Sequence, residues 1–237
     1  MQWQLKPARD HDLGPREKLS SLKREGGLAL LVSHWCWRKA TRLYLRLFHR
    51  LSVTGLENLP EPPFVLVANH TSHLDILVLT ASLPARHLER VHPIAAEDHF
   101  FASFAGSLFA ALAVNALPLK RKAARGKDLA LLRERLSEDR LIYVLFPEGT
   151  RSRDGALAPF KAGIGALLAA GNVPAVPCYL EGAFAALPAE RRLPRPARLR
   201  LVIGKPVGMA DCTNDRDGWV DVAARCEKEV RRLGLRG

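Results

Sequence analysis

Two kinds of hydrophobic pattern alternate along the chain. The first is the short uninterrupted apolar run, as in PFVLVA (63–68), RLIYVLF (140–146) and PAVPCYL (174–180), with ARLRLVIGKPV (197–207) more loosely built. A strand covered on both faces needs no polar alternation, so these runs predict buried strands, mostly parallel. LSVTGLENLP (51–60) reads as a further short strand and turn. The second pattern is helical: TSHLDILVLTASL (71–83) closed by Pro84, GKDLALLRERLSED (126–139), GIGALLAAGN (163–172) stopped by Gly171 and Asn172, and DGWVDVAARCEKEVRRLGL (217–235). The alternation predicts an α/β fold, a mainly parallel central sheet flanked by helices.

Two segments bear on the surroundings of the fold. From Leu28 to Arg50, Leu28, Leu31, Val32, Trp35, Leu43 and Leu47 recur at helical spacing, while Arg38, Lys39, Arg42, Arg46 and Arg50 make the rest cationic. A basic amphipathic helix with Trp and Tyr suits a membrane interface, although packing on its own domain would give the same pattern. Phe100 to Leu119 is uncharged for about the ~20 residues a spanning helix needs. It is rich in alanine and holds Ser103, Gly106, Ser107, Asn115 and Pro118, so a buried or interfacial helix is expected. Residues 1 to 24 are polar and weakly patterned, and are read as a loose arm; they contain no apolar core of a signal peptide.

The 237 residues carry a formal charge of +12, which calls for an anionic partner: a nucleic acid or an anionic membrane surface. Aromatic residues are 7% of the chain and do not interleave with the basic runs, so the stacking platform of a nucleic-acid binder is not expected. The cysteines, Cys36, Cys178, Cys212 and Cys226, lie far apart with no CxxC pair. They read as reduced thiols, with no metal site built on them.

The chemistry concentrates where two strands end. NHTSHLD (69–75) follows the first buried strand and PEGTRSRDG (147–155) the second, and in open α/β sheets ligands bind beyond the carboxyl ends of strands. His70, His73 and Asp75 are one position out of register for the HxHxD pattern of metallo-hydrolases. Ser72-x-x-Asp75 has capping-box spacing. His70 also suits a general base, with Asp75 one turn into the helix to fix its tautomer. No GxSxG elbow supplies a nucleophile, so the acceptor's own hydroxyl would attack. In the second segment Gly149 and Thr150 form a turn whose amides could face an anion, Arg151 offers a planar donor fork, and Glu148 could orient it.

Together the two segments resemble the glycerolipid acyltransferase family of the lysophosphatidic acid acyltransferase type, marked by HxxxxD followed by a PEGTR block. The resemblance covers roughly residues 50 to 210. It implies transfer of a fatty acyl group from acyl-CoA or acyl-carrier protein to the hydroxyl of a lysophospholipid, most simply lysophosphatidic acid; a lyso-aminolipid is the alternative acceptor. On this resemblance His70 is the general base and Asp75 its orienting acid, while Glu148, Gly149, Thr150 and Arg151 bind the glycerophosphate. Arg121, beside Lys120 and Lys122, matches an intervening motif, Pro177 a fourth, and Lys161 a usual basic position. His73 falls at a variable position and is read as structural. No cofactor or metal is implied. Residues 1–50 would form an arm and membrane-associating helix, and 51–237 the acyltransferase domain, on the cytoplasmic face of the membrane.

Overall fold

The computed structural model describes residues 8–96, 103–119 and 126–235. Its centre is a seven-stranded sheet of β1 (Ser52–Thr54), β2 (Phe64–Ala68), β3 (Val91–Ala96), β4 (Leu117–Leu119), β5 (Ile142–Leu145), β6 (Ala175–Glu181) and β7 (Arg200–Ile203), in the order β1-β7-β6-β2-β5-β3-β4. Five strands, β6, β2, β5, β3 and β4, are parallel; β7 pairs antiparallel with β6 and carries β1 with it. β2 lies at the middle, where Phe64, Leu66 and Ala68 enter one core and Val65 and Val67 the other, all fully buried. That two-sided burial is why its sequence shows no alternation.

Helices cover both faces. α1 (Pro15–Leu19) is a short turn in the N-terminal segment, and α2 (Leu28–His49) and α3 (Leu74–Ser82) pack together on one side of the sheet. After α4 (Phe104–Leu112), the opposite side is closed by α5 (Lys127–Glu138), α6 (Gly163–Leu168) and α8 (Arg216–Gly234), with α7 (Ala183–Ala186) a single turn after β6. Two strands, β3 and β4, fall where no strand was expected. The alanine-rich segment is not one long helix: α4 ends after nine residues, Asn115 takes a left-handed φ of 55°, and the chain turns back into β4. Among the described residues no helix is long and apolar enough to cross a membrane.

The N-terminal segment is not loose in its described part. Buried Arg24 donates to the Leu19 carbonyl (2.9 Å), Asn115 Oδ1 (3.1 Å) and the Ala116 carbonyl (2.6 Å), and burial holds its pKa down to about 10. Arg9 pairs with Asp139 and Glu134, and Arg135 with the Leu22 carbonyl. Arginines dock this segment through backbone carbonyls, carboxylates and the Asn115 side chain, contacts that leave no mark in a hydrophobicity pattern.

α2 is amphipathic in the inverted sense. Its inward face holds His34, Thr41, Leu45 and His49, whereas Leu28, Val32, Trp35, Leu43 and Leu47 are each more than half exposed. His34 reaches the Ala111 carbonyl (2.6 Å), and Arg42 caps the end of α3 through the Ala81, Ser82 and Leu83 carbonyls.

Burial lowers the pKa of His34, His49, His87 and His92, the last to about 3. At His92, Nδ1 faces the Arg90 carbonyl (3.0 Å) and Nε2 faces the donating Asn115 Nδ2 (3.2 Å), an arrangement for the neutral ring. A histidine depressed in the folded state stabilises above its unfolded pKa, near 6.5, and that contribution is lost as pH falls toward the folded value. His92 alone should withdraw about 2 kcal/mol by pH 5. Thermal unfolding midpoints should therefore drop between pH 7 and pH 5, and His92→Gln should flatten the slope; an unchanged slope would assign the acid sensitivity elsewhere.

Candidate active site

The HxxxxD segment begins where β2 stops. Asn69 extends the β2–β6 pairing with its side chain: Nδ2 donates to the Leu180 carbonyl (2.9 Å) and Oδ1 accepts from the Leu180 amide (2.8 Å). This clamp fixes the direction in which His70 leaves the sheet. Asp75, wholly buried in the first turn of α3, gathers three donors on one oxygen: His70 Nδ1 at 2.9 Å, the Thr71 amide at 2.6 Å and the Ser72 amide at 2.8 Å. Capping and orienting are thus one arrangement, since the carboxylate that holds the turn also fixes the imidazole. Ser72 Oγ accepts from the Leu74 amide (3.0 Å). With Nδ1 committed to the carboxylate, Nε2 is the ring nitrogen available to a substrate proton. The ring stacks on Phe146 at 4.1 Å between centroids.

The second segment is sewn to the first. Glu148 is buried; Oε1 accepts from the His70 amide (2.6 Å) and Oε2 from the Ala158 amide (2.9 Å). Burial outweighs these bonds and raises its pKa. The Ser152 amide donates to the His70 carbonyl (2.8 Å), and Arg151 meets His73 Nε2. Glu148 therefore positions the two loops and does not line the cavity, a different place from the substrate contact expected of it.

Gly149 sits at φ 75°, and a Cβ built there would lie 2.6 Å from Lys161 Nζ. The left-handed backbone calls for glycine here, and a side chain would also have to displace the Lys161 ammonium lying over it. Its amide is spent on the Phe146 carbonyl (3.0 Å), so the Gly149 N–H is not the open anion donor expected of this turn.

His70, His73, Gly149, Thr150, Arg151 and Lys161 share the wall of one cavity of about 630 Å³. Its remaining wall is apolar: Ile76, Ile94, Phe109, Leu129, Leu132, Ile164 and Leu167, from α3, β3, α4, α5 and α6. One chamber therefore offers a base, two cations and a hydrocarbon lining. Arg121, Lys120 and Lys122 lie outside the described residues. Pro177 belongs to β6, in register with Val67, on the strand beside the site rather than in the cavity wall. Sequence reasoning passed over Asn69 and Phe146, and gave His73 no part in the site. Asn69 follows the strand immediately and Phe146 closes the next one, so position alone could have marked them. Among the described residues no group of three or more His, Cys, Asp or Glu is gathered to hold a metal.

Residues 50–181 match the family model described as Acyltransferase, a span that includes both loops. A chloroplastic 1-acyl-sn-glycerol-3-phosphate acyltransferase of Brassica napus is 33% identical over 165 residues, 68% of this chain and 46% of that protein. The 1-acyl-sn-glycerol-3-phosphate acyltransferase alpha of Mus musculus is 32% identical over 173 residues, 70% of this chain and 58% of that protein. The chain spans about half the length of these curated relatives. The crystal structure of the 1-acyl-sn-glycerophosphate (LPA) acyltransferase PlsC from Thermotoga maritima superposes with a TM-score of 0.61 at 25% identity, covering 85% of this chain and 79% of that one.

Proposed function

Because the chain belongs to the acyltransferase family, we propose that it moves a fatty acyl group from a thioester, acyl-CoA or acyl-carrier protein, to the free hydroxyl of a lysophospholipid. Lysophosphatidic acid is the acceptor that the site suits best, giving phosphatidic acid. The observation that carries this reading is the His70 imidazole, held by a buried carboxylate, on the wall of a chamber whose lining also holds Arg151, Lys161 and many apolar side chains. His70 Nε2 takes the hydroxyl proton as the oxygen attacks the thioester carbonyl. The tetrahedral intermediate collapses with cleavage of the C–S bond, and the proton passes from His70 to the departing thiolate. Arg151 and Lys161 hold the acceptor phosphate. The thioester already activates the acyl group, so no step calls for a cofactor.

The test is product mass spectrometry with an acyl thioester and a panel of acceptors, with and without phosphate. Arg151→Ala should raise KM for lysophosphatidic acid about tenfold or more, the worth of a charge-assisted bond, and leave acceptors without phosphate unaffected. Equal losses for both would remove Arg151 from phosphate binding.

The exposed face of α2 fits a peripheral seat on an anionic, cytoplasm-facing leaflet. Leu28, Val32, Trp35, Leu43 and Leu47 would enter the interface, with Lys39, Arg46 and Arg50 toward headgroups. Trp37, off this face on the side of α2 turned to the fold, packs edge-on against Phe109, 5.6 Å between centroids, and Phe109 lines the cavity, so the helix adjoins the chamber. Replacing Trp35 and Leu47 together by glutamate should cut binding to anionic vesicles about tenfold or more, read by co-sedimentation; unchanged binding would place the membrane contact elsewhere.

A further inference from the structure

α2 also turns inward a cation that the fold leaves unanswered. Arg38 lies between α2, the end of α3 and the turn Ala85–Arg90, on the wall of a second cavity that it shares with His34, Trp37, Thr41, Leu88 and Asn115. Its Nε and Nη2 are both buried and neither has a hydrogen-bond partner among the described residues. These neighbouring N–H groups form one edge of the guanidinium, the edge that grips an oxyanion with two parallel bonds. Burial is the main influence that lowers the Arg38 pKa, to about 10, and the Arg42 charge, of the same sign, adds to it. Arg38 stays cationic at neutral pH. Arg42, one turn on, is satisfied by three carbonyls, so the two residues divide into one that caps a helix and one with an open donor fork.

Two further buried polar atoms in this region, Ser82 Oγ and His87 Nε2, also lack partners, and the Arg38 charge helps to keep His87 from protonating. Ala81 and Leu83, flanking Ser82, line the cavity. Arg38 as a residue is half-buried, with Nε and Nη2 on its buried side, and desolvating that edge of the guanidinium without a counter-charge is costly. The size of the cavity restricts what could pair here. Its volume of about 30 Å³ admits one small ion and not a glycerol-bearing headgroup.

We propose that Arg38 holds a small singly charged anion, the size of chloride or formate, where α2 meets α3, and that the anion fastens the exposed helix to the layer that carries Asp75. Such an anion would accept from both N–H groups of the open edge. It would also offset the repulsion between Arg38 and Arg42.

Thermal unfolding of the full chain tests this at fixed ionic strength, with sodium gluconate, too large to enter, exchanged stepwise for sodium chloride or sodium formate. The midpoint should rise saturably in chloride or formate, by about 5–10 °C at roughly a hundredfold excess over Kd. The rise should be absent in Arg38→Met. Should that variant not fold, bromide-soaked crystals of the unaltered protein give the answer from their anomalous signal, with bromide expected beside Arg38 Nε and Nη2. A midpoint indifferent to the salt, a saturable rise that survives in Arg38→Met, or an ordered water in place of bromide would each overturn the proposal.

Discussion

Replacing His70 by alanine is expected to lower kcat about 10²–10⁴-fold, the range for loss of a general base. The upper end is expected because this imidazole handles the proton twice, taking it from the hydroxyl and giving it to the thiolate. The fold should not suffer. The bonds that tie the two loops at this residue are made by its backbone, the amide to Glu148 and the carbonyl from Ser152, and alanine keeps both. Steady-state kinetics beside a thermal melt should therefore show a stable protein with little turnover and a KM near the original. A variant that keeps most of its activity would sink the role of His70.

Asp75→Asn should have an effect of the same order, a fall of about 10³–10⁴-fold with geometry retained, as where a triad aspartate loses its charge. Among the described residues only Oδ2 of Asp75 is used, by three donors, while Oδ1 is buried without a partner. An asparagine can keep its oxygen in the used position and put its NH₂ in the other. The turn then survives and what is lost is the charge that stabilises the imidazolium. Asp75→Ala would add a structural cost, since the Thr71 and Ser72 amides would be buried unpaired at about 1–3 kcal/mol each. Comparing the two variants by kcat and unfolding midpoint separates the electrostatic role from the capping role; equal activity in Asp75→Asn and the unaltered protein would leave capping alone.

The parts of this molecule that sequence made legible are those where one residue type answers one physical demand. FVLVA is apolar throughout because both faces of β2 are covered, and the polar loops after β2 and β5 stand out because they end such runs. The segment VHPIAA did not read as a strand: His92 interrupts its apolar run, and it earns its place in the sheet through β5 and β4 rather than through its own pattern. The described part of the N-terminal segment was hidden for a similar reason, since Arg24 docks it on groups supplied by distant residues, Asn115 and the Ala116 carbonyl. Glu148 lies within a motif expected to touch substrate, yet its oxygens belong to backbone amides of two loops. Nothing local to PEGTR encodes that distinction. α2 showed its periodicity in sequence but not which stripe faces inward, because most of its leucines face out while histidine and arginine join Leu45 on the inward stripe.

The central claim is a direct transfer, in which the acceptor's hydroxyl, deprotonated by His70, attacks the thioester without an acyl-enzyme. Rapid quench with an acyl thioester tests it, with thiol release and intact protein mass followed first without and then with lysophosphatidic acid. The account predicts no thiol and no added mass until the acceptor is present, and then one thiol for each phosphatidic acid formed. A stoichiometric burst of thiol without acceptor, with one acyl group gained by the protein, would contradict it.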